Sequence, residues 1–300
     1  MFLSSFRFDC LYKIRIFAEK SYFYMVRKII HLSDIHIPNT SSNDRPFDEM
    51  IKQLAGEIAL EVKGSDRNEV RIVVTGDTFE KKIKADNESK EVFHTLLNYL
   101  DAIAPTVIIA GNHDMLENNQ DRMDSISPTF SIKGVYPNIT YADKVLGYKS
   151  GYIVDDNIVW VLYSMFDKFA KPEMEGLREK YPDSRIIGLY HGEIVGAVTD
   201  SGRMSENGIN TDYFKDCDCV MAGHIHKFQT IKKNGVPIVY SGSVFQHDSG
   251  ENTTGHGFVV WDTETMKYSL HEVENKYRMY KFEINSFEDV SNDEEILINL

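Results

Sequence analysis

Residues 106–115 read TVIIAGNHDM. A β-branched, apolar run stops at Ala110-Gly111, and three polar residues follow at once: Asn112, His113 and Asp114. Thr, Val and Ile favour the pleated strand, and glycine lets the chain turn sharply at its end. The run shows no polar alternation, which is the pattern of a strand buried on both faces. Such strands belong to parallel sheets covered by helices, where functional groups gather at the strand ends.

The same grammar repeats outward from that stretch. KIIHLSDIHI (28–37) reads as a strand, PNTSSNDRP as a loop, and 47–63 as a helix with Phe47, Met50, Ile51, Leu54 and Ile58 on one face. RIVVTGDTF (71–79) precedes a helix over 89–104, whose stripe is Val92, Phe93, Leu96, Leu97, Leu100 and Ile103. Strands alternating with helices predict βαβ crossovers. The second half is richer in strands: a hairpin over 151–165 turning at Asp155-Asp156-Asn157, a helical segment around 167–180, then strands over 184–194, 218–228, 236–245, 257–265 and 267–273. Two sheets packed face to face with helices outside, an α/β double-layer sandwich, accommodate this order.

Five polar clusters close five of these runs: Asp34-Ile35-His36, Gly76-Asp77, Gly111-Asn112-His113-Asp114, Tyr190-His191-Gly192 and Gly223-His224-Ile225-His226. They hold five of the ten histidines, too many for chance placement at strand ends. On an extended chain, side chains at i and i+2 share a side, so Asp34 with His36, and His224 with His226, are expected to reach one ion each. Asp77 has two oxygens with which to bridge two cations. Asp34, His36, Asp77, Asn112, His191, His224 and His226 make seven ligands, or two sets of four when one carboxylate is shared. Oxygen and imidazole without thiolate suit Mn²⁺, Fe or Zn²⁺. Two cations about 3.5–4 Å apart polarise a phosphate and lower the pKa of water. Taken singly, each cluster reads equally well as a turn former, a helix cap or a satisfied histidine.

The bulk properties set bounds. The 300 residues suffice for one large α/β domain. A net charge of −13 argues against a protein that coats nucleic acid through clustered Lys and Arg. Three cysteines form no disulfide framework, which fits an intracellular, reducing compartment. No apolar run reaches membrane-spanning length. Residues 1–24 are aromatic but broken by charges, and are expected to be an extension ahead of Met25 rather than a signal peptide. Residues 275–300 read as the beginning of another unit, incomplete at Leu300.

The ordered set D-x-H, G-D, G-N-H-D, H, G-H-x-H, from about Lys28 to Lys227, resembles the calcineurin-like metallophosphoesterases. The resemblance implies a metallophosphoesterase domain over 25–274, a double-layer β-sandwich flanked by helices, and a capping domain starting at 275. Residue by residue, Asp34, His36, Asp77 and His226 resemble the ligands of a first metal. Asp77, Asn112, His191 and His224 resemble those of a second. His113 resembles the family's catalytic histidine, and Asp114 would orient its ring. LSDIHIP (32–38), GDTFEK (76–81), AGNHDM (110–115), AGHIHK (222–227), YSGSVF (240–245) and SGE (249–251) are similar to the branch of DNA repair nucleases of the SbcD type. That branch implies two Mn²⁺ ions, DNA as substrate, a coiled-coil ATPase partner of the SbcC type, and a homodimer formed through the early helices. One departure stands out: Glu80 occupies a substrate-facing position where many relatives carry histidine, and a carboxylate there repels phosphate unless it is paired. A phosphatase or small-substrate phosphodiesterase of the same fold is the alternative, and a non-catalytic scaffold a more remote one.

Overall fold

The apolar runs become strands because their β-branched residues bury both faces of a pleat at once. In the computed structural model, which describes residues 24–39, 46–82, 84–116, 122–233 and 235–281, they form two six-stranded sheets. The first contains β1 (Lys28–Leu32), β2 (Val70–Thr75), β3 (Thr106–Ile109), β4 (Ile139–Tyr141), β11 (Gly257–Asp262) and β12 (Tyr268–Glu272), in the order β12-β11-β1-β2-β3-β4. The strands from β1 to β4 are mutually parallel, while β11 and β12 close the other edge antiparallel. The second contains β5 (Gly151–Asp155), β6 (Ile158–Tyr163), β7 (Arg185–His191), β8 (Cys219–Gly223), β9 (Gln229–Lys233) and β10 (Val236–Tyr240), in the order β5-β6-β7-β8-β10-β9. Its centre, β6-β7-β8-β10, is parallel.

Alternation along β1 shows how the layers stack. Ile29 joins the apolar layer between the sheets with Val73, Trp160, Leu189 and Met221. Its neighbours Ile30 and Leu32 face the helices α1 (Phe47–Glu61) and α2 (Asn87–Ile103). The helix stripes are as expected, with Met50, Ile51, Leu54, Phe93, Leu96, Leu97 and Leu100 buried. The α2 helix starts at Asp86, whose carboxylate accepts from the Ser89 amide, a cap contributing about 1 kcal/mol.

The two sheets are also tied at the N-terminal end of β2. Arg71 is 3% exposed and donates from Nε and an Nη to both oxygens of Asp155 on β5, at 2.7 and 2.8 Å. Asp156 takes the same guanidinium at 2.8 Å, and the Trp160 indole donates to Asp155 at 3.0 Å.

Some expectations need correction. The segment 167–180 is not one helix. It holds a short 3-10 turn (Met165–Asp167) and a single α turn, Leu177–Lys180. Left-handed Lys168, Phe169 and Gly176, with Pro172 between them, interrupt any longer run. The first strand ends at Leu32, five residues earlier than expected, so Asp34 and His36 do not lie on extended chain. β4 and β9 carry little sequence signal: β4 is only three residues, and the half-buried β9, ending in two lysines, has no apolar pattern. Among the described residues no helix is long and apolar enough to cross a membrane. Residues 275–281 lie against α1 and the loop after β10, through Tyr277 to Glu49 and Met279 to Gln246. The readings of residues 1–23 and 282–300 fall outside the described residues.

Candidate metal centre

β1, β2 and β3 run parallel and end together, so the loops that follow them share one edge. β7 and β8 bring the second sheet to the same edge. The donors arrive there through unusual backbone. Asp34, His36 and Asp77 adopt φ of 51, 49 and 50°, and His224 96°. Each left-handed non-glycine residue costs about 1–2 kcal/mol, and such strain is typical of functional sites. The strain is held in place by pairing: amides of Asp34, His36 and Ile37 donate to the carbonyls of Gly76, Asp77 and Thr78. The two left-handed turns, rather than strand alternation, bring Asp34 and His36 together.

Glycines make the close approach feasible. A Cβ on Gly111 would stand 2.2 Å from the Asp77 carboxylate. One on Gly223 would stand 2.0 Å from Ser33 Oγ and 2.3 Å from the Thr75 carbonyl.

The seven expected ligands converge as two adjoining groups. Ligand atoms of Asp34, His36 and His226 lie within 4.8 Å of one another, as do those of Asp77, His191 and His224. Nε2 of His36 and Nε2 of His226 face each other at 3.0 Å, each 3.8 Å from Asp34 Oδ1. Asp77 Oδ2 is 3.8 Å from His36 Nε2 and 3.3 Å from His191 Nε2, so this one oxygen borders both groups. Asn112 Oδ1 completes the second group, 3.1 Å from His191 Nε2 and 2.8 Å from His224 Nδ1. The outward ring nitrogens face acceptors: His191 Nδ1 the Thr75 carbonyl at 2.7 Å, His226 Nδ1 Glu251 at 2.6 Å. An acceptor on one ring nitrogen fixes the proton there and turns the other lone pair inward. The donor chemistry therefore fits two divalent cations.

Electrostatics agree with that fit. Asp34, Asp77 and His191 are almost wholly buried. Burial opposes the charge on Asp77, yet His191, His36 and His113 together hold its carboxyl far below the usual range. Burial likewise opposes charge on His191, but Asp77 outweighs it and lifts the imidazole to about 9. Against the same burial, Glu251 and Asp34 lift His226 to about 9. His224 moves the other way, lowered by burial and by the neighbouring His191. Positive charge is favoured beside the acids, whether brought by protons or by metal.

His113 sits at the junction. Its amide donates to Asp77 Oδ1 at 2.7 Å, its ring meets that of His36 edge-on at 4.9 Å, and its Nδ1 lies 2.6 Å from the Glu80 carbonyl. The expectation for Asp114 needs correction. Its carboxylate is fully buried and accepts from the amides of Thr78, Phe79 and Gly111, stapling the loop after β2 to the loop after β3. The ring of His113 is held by the Glu80 backbone instead. Burial first, then the nearby Asp77, pushes Asp114 up to about 7.

Glu80 is half-buried and paired. Its side chain is 18% exposed, with Oε2 3.2 Å from His36 Nδ1 and 3.3 Å from His247 Nε2. Lys81 is farther, at 3.7 Å. Sequence reasoning missed His247 and the role of Glu251. The SGE stretch was a usable signal for Glu251, whereas nothing local distinguishes His247.

Comparison with known proteins accords with this geometry. The sequence matches the calcineurin-like phosphoesterase family over residues 27–228. It is 34% identical over 263 residues to the uncharacterized protein R555 of Acanthamoeba polyphaga mimivirus, covering 84% of this chain and 18% of that protein. It is 27% identical to 078R of Invertebrate iridescent virus 3, provisionally named a phosphoesterase, covering 62% of this chain and 51% of that one. It is 26% identical to the SbcD component of the SbcCD nuclease of Bacillus subtilis, over 75% of this chain and 63% of that one. The chain thus spans less than two thirds of the length of each of these relatives. The family match covers most of the chain and takes in every one of the seven donors: this protein belongs to the calcineurin-like phosphoesterase family.

Proposed function

We propose that this chain hydrolyses the phosphodiester backbone of DNA with two divalent cations, Mn²⁺ by preference. The observation that carries the reading is the junction of the two donor groups. Asp77 borders both, and His113 is fixed directly beside it. Bound there, the cations would supply Lewis acidity toward the phosphate and acidify a water. The first would be held by Asp34, His36, Asp77 and His226, the second by Asp77, Asn112, His191 and His224. With Nδ1 held by the Glu80 carbonyl, His113 keeps Nε2 for proton transfer. Its protonated ring would give that proton to the departing sugar oxygen. Asp114 holds the loop carrying His113 and so acts on the ring's position from a distance.

The nuclease reading, in preference to a phosphatase, is supported by the SbcD-like motifs and by the Bacillus relative. The acidic net charge suits an enzyme that relies on a partner to grip DNA, here an SbcC-type coiled-coil ATPase. A homodimer through the early helices belongs to the same reading. Purified protein with Mn²⁺ is expected to degrade linear duplex DNA, and His113→Ala to lower that rate by about 10²–10⁴-fold while both metals stay bound. Undiminished cleavage by His113→Ala removes the proton-donor role. Hydrolysis of a chromogenic phosphodiester with every DNA substrate left intact makes the protein a small-substrate phosphodiesterase instead.

A further inference from the structure

The two donor groups differ in what stands behind their histidines. In the group of Asp34, both imidazoles are backed by carboxylates. Glu251 is hydrogen-bonded to His226 Nδ1 at 2.6 Å. Glu80 Oε2 stands at ion-pair distance, 3.2 Å, from His36 Nδ1, both atoms buried with no other hydrogen bond. One residue ties the two acids together. His247 places Nε2 3.3 Å from Glu80 Oε2 and donates its backbone amide to Glu251 Oε2 at 2.8 Å. Its ring packs 4.4 Å from that of His36 and 5.2 Å from that of His226. The group of His191 has no such frame among the described residues: His191 faces a neutral carbonyl, and His224 turns Nδ1 inward to Asn112.

We propose that Glu80 is a positioning residue for the first cation alone, forming with Glu251 and His247 a carboxylate clamp around His36 and His226. The inference rests on reading the site as a two-cation centre, and on nothing about the substrate. A carboxylate behind a ligating histidine fixes its tautomer and ring orientation and raises its basicity. Two carboxylates meet on one cation site here, and Lys81 approaches Glu80 Oε1 at 3.7 Å, leaving Oε2 to His36 and His247. The acid that a phosphate-binding reading treats as a defect is thereby part of the metal site. Its charge is directed at an imidazole rather than toward incoming phosphate.

The test is Mn²⁺ titration by calorimetry and electron paramagnetic resonance, with no substrate present. In a His191→Ala background, which retains the first site, Glu80→Gln is expected to weaken Mn²⁺ binding about ten- to hundredfold, as loss of a ligand's carboxylate partner typically does. In a His226→Ala background, which retains the second, the same change should leave affinity unaltered. Glu251→Gln should follow the same pattern. Should either background fail to fold, Glu80→Gln in the otherwise unaltered chain must shift one of two binding steps and leave the other. Equal weakening of both sites, or of neither, overturns the proposal. If Glu80→Gln shows the selective loss while the unaltered chain loaded with Mn²⁺ cleaves no DNA, the nuclease reading fails and this one stands.

Discussion

The two ends of the sandwich treat buried charge in opposite ways. At the N-terminal end of β2, Arg71 is matched within the chain: both oxygens of Asp155, Asp156 and two backbone carbonyls absorb its donors. At the C-terminal end of the same strand, Asp34 and Asp77 are buried within one cluster of imidazoles. There the acids face groups whose charge depends on a proton. The length of one short strand separates a closed ion pair from a site whose cation comes from solution.

The sharpest way to break this comparison is a matched pair of amide substitutions. Asp77→Asn keeps an acceptor for the His113 amide but removes the carboxylate that borders both donor groups. It is expected to abolish binding of two cations and to reduce hydrolysis below detection, measured by metal content and turnover. Asp155→Asn should do the reverse. Removing one partner of a buried ion pair costs about 3–5 kcal/mol, read from denaturant midpoints, while metal content per folded chain stays the same. In metal-free protein, Asp77→Asn should cost less stability than Asp155→Asn. If the order is inverted, the donor end is a structural ion network and the contrast fails.

The comparison also explains what the sequence disclosed. The closed end was hardly visible in it: Arg71 lies within an apolar run, and nothing local pairs it with acids more than eighty positions away. The open end was visible because its residues are chemically unusual and fall where apolar runs stop. Even so, strand alternation is the wrong reason for their convergence. Asp34 and His36 look like strand neighbours on one side, and they meet instead through two left-handed residues. Side-chain identity announces a ligand, but backbone handedness at Asp or His is set by the paired loops around it. Asp114 shows the same limit. Adjacency to His113 suggests a partner, whereas the turn directs its carboxylate into the backbone of the neighbouring loop. Glu251 and His247 lie far along the chain from His36, so only the fold brings them to the cation site.

The smallest effect is the most discriminating, because the two ends respond differently to pH. His191 and His226 are raised to about 9 against an ordinary value near 6.5. A group raised on folding stabilises the protein fully below its unfolded value, and that contribution is lost as pH rises through the folded one. Metal-free protein should therefore lose stability between about pH 6.5 and 9. Metal affinity should rise over the same window, since a cation must displace those protons. Calorimetry in buffers of different ionisation enthalpy should accordingly show proton release on Mn²⁺ binding near neutral pH. Burial raises Cys217 and Cys219 as well, but their share is lost only above the ordinary thiol value of about 8.5, beyond most of this window. Asp77→Asn isolates the His191 share: without its carboxylate His191 has little reason to hold a proton, so the melting temperature of the variant should depend less steeply on pH. The Arg71 guanidinium stays charged throughout and adds no slope. An Asp77→Asn melting curve as steep in pH as the parent's would mean that His191 holds no proton in a metal's place.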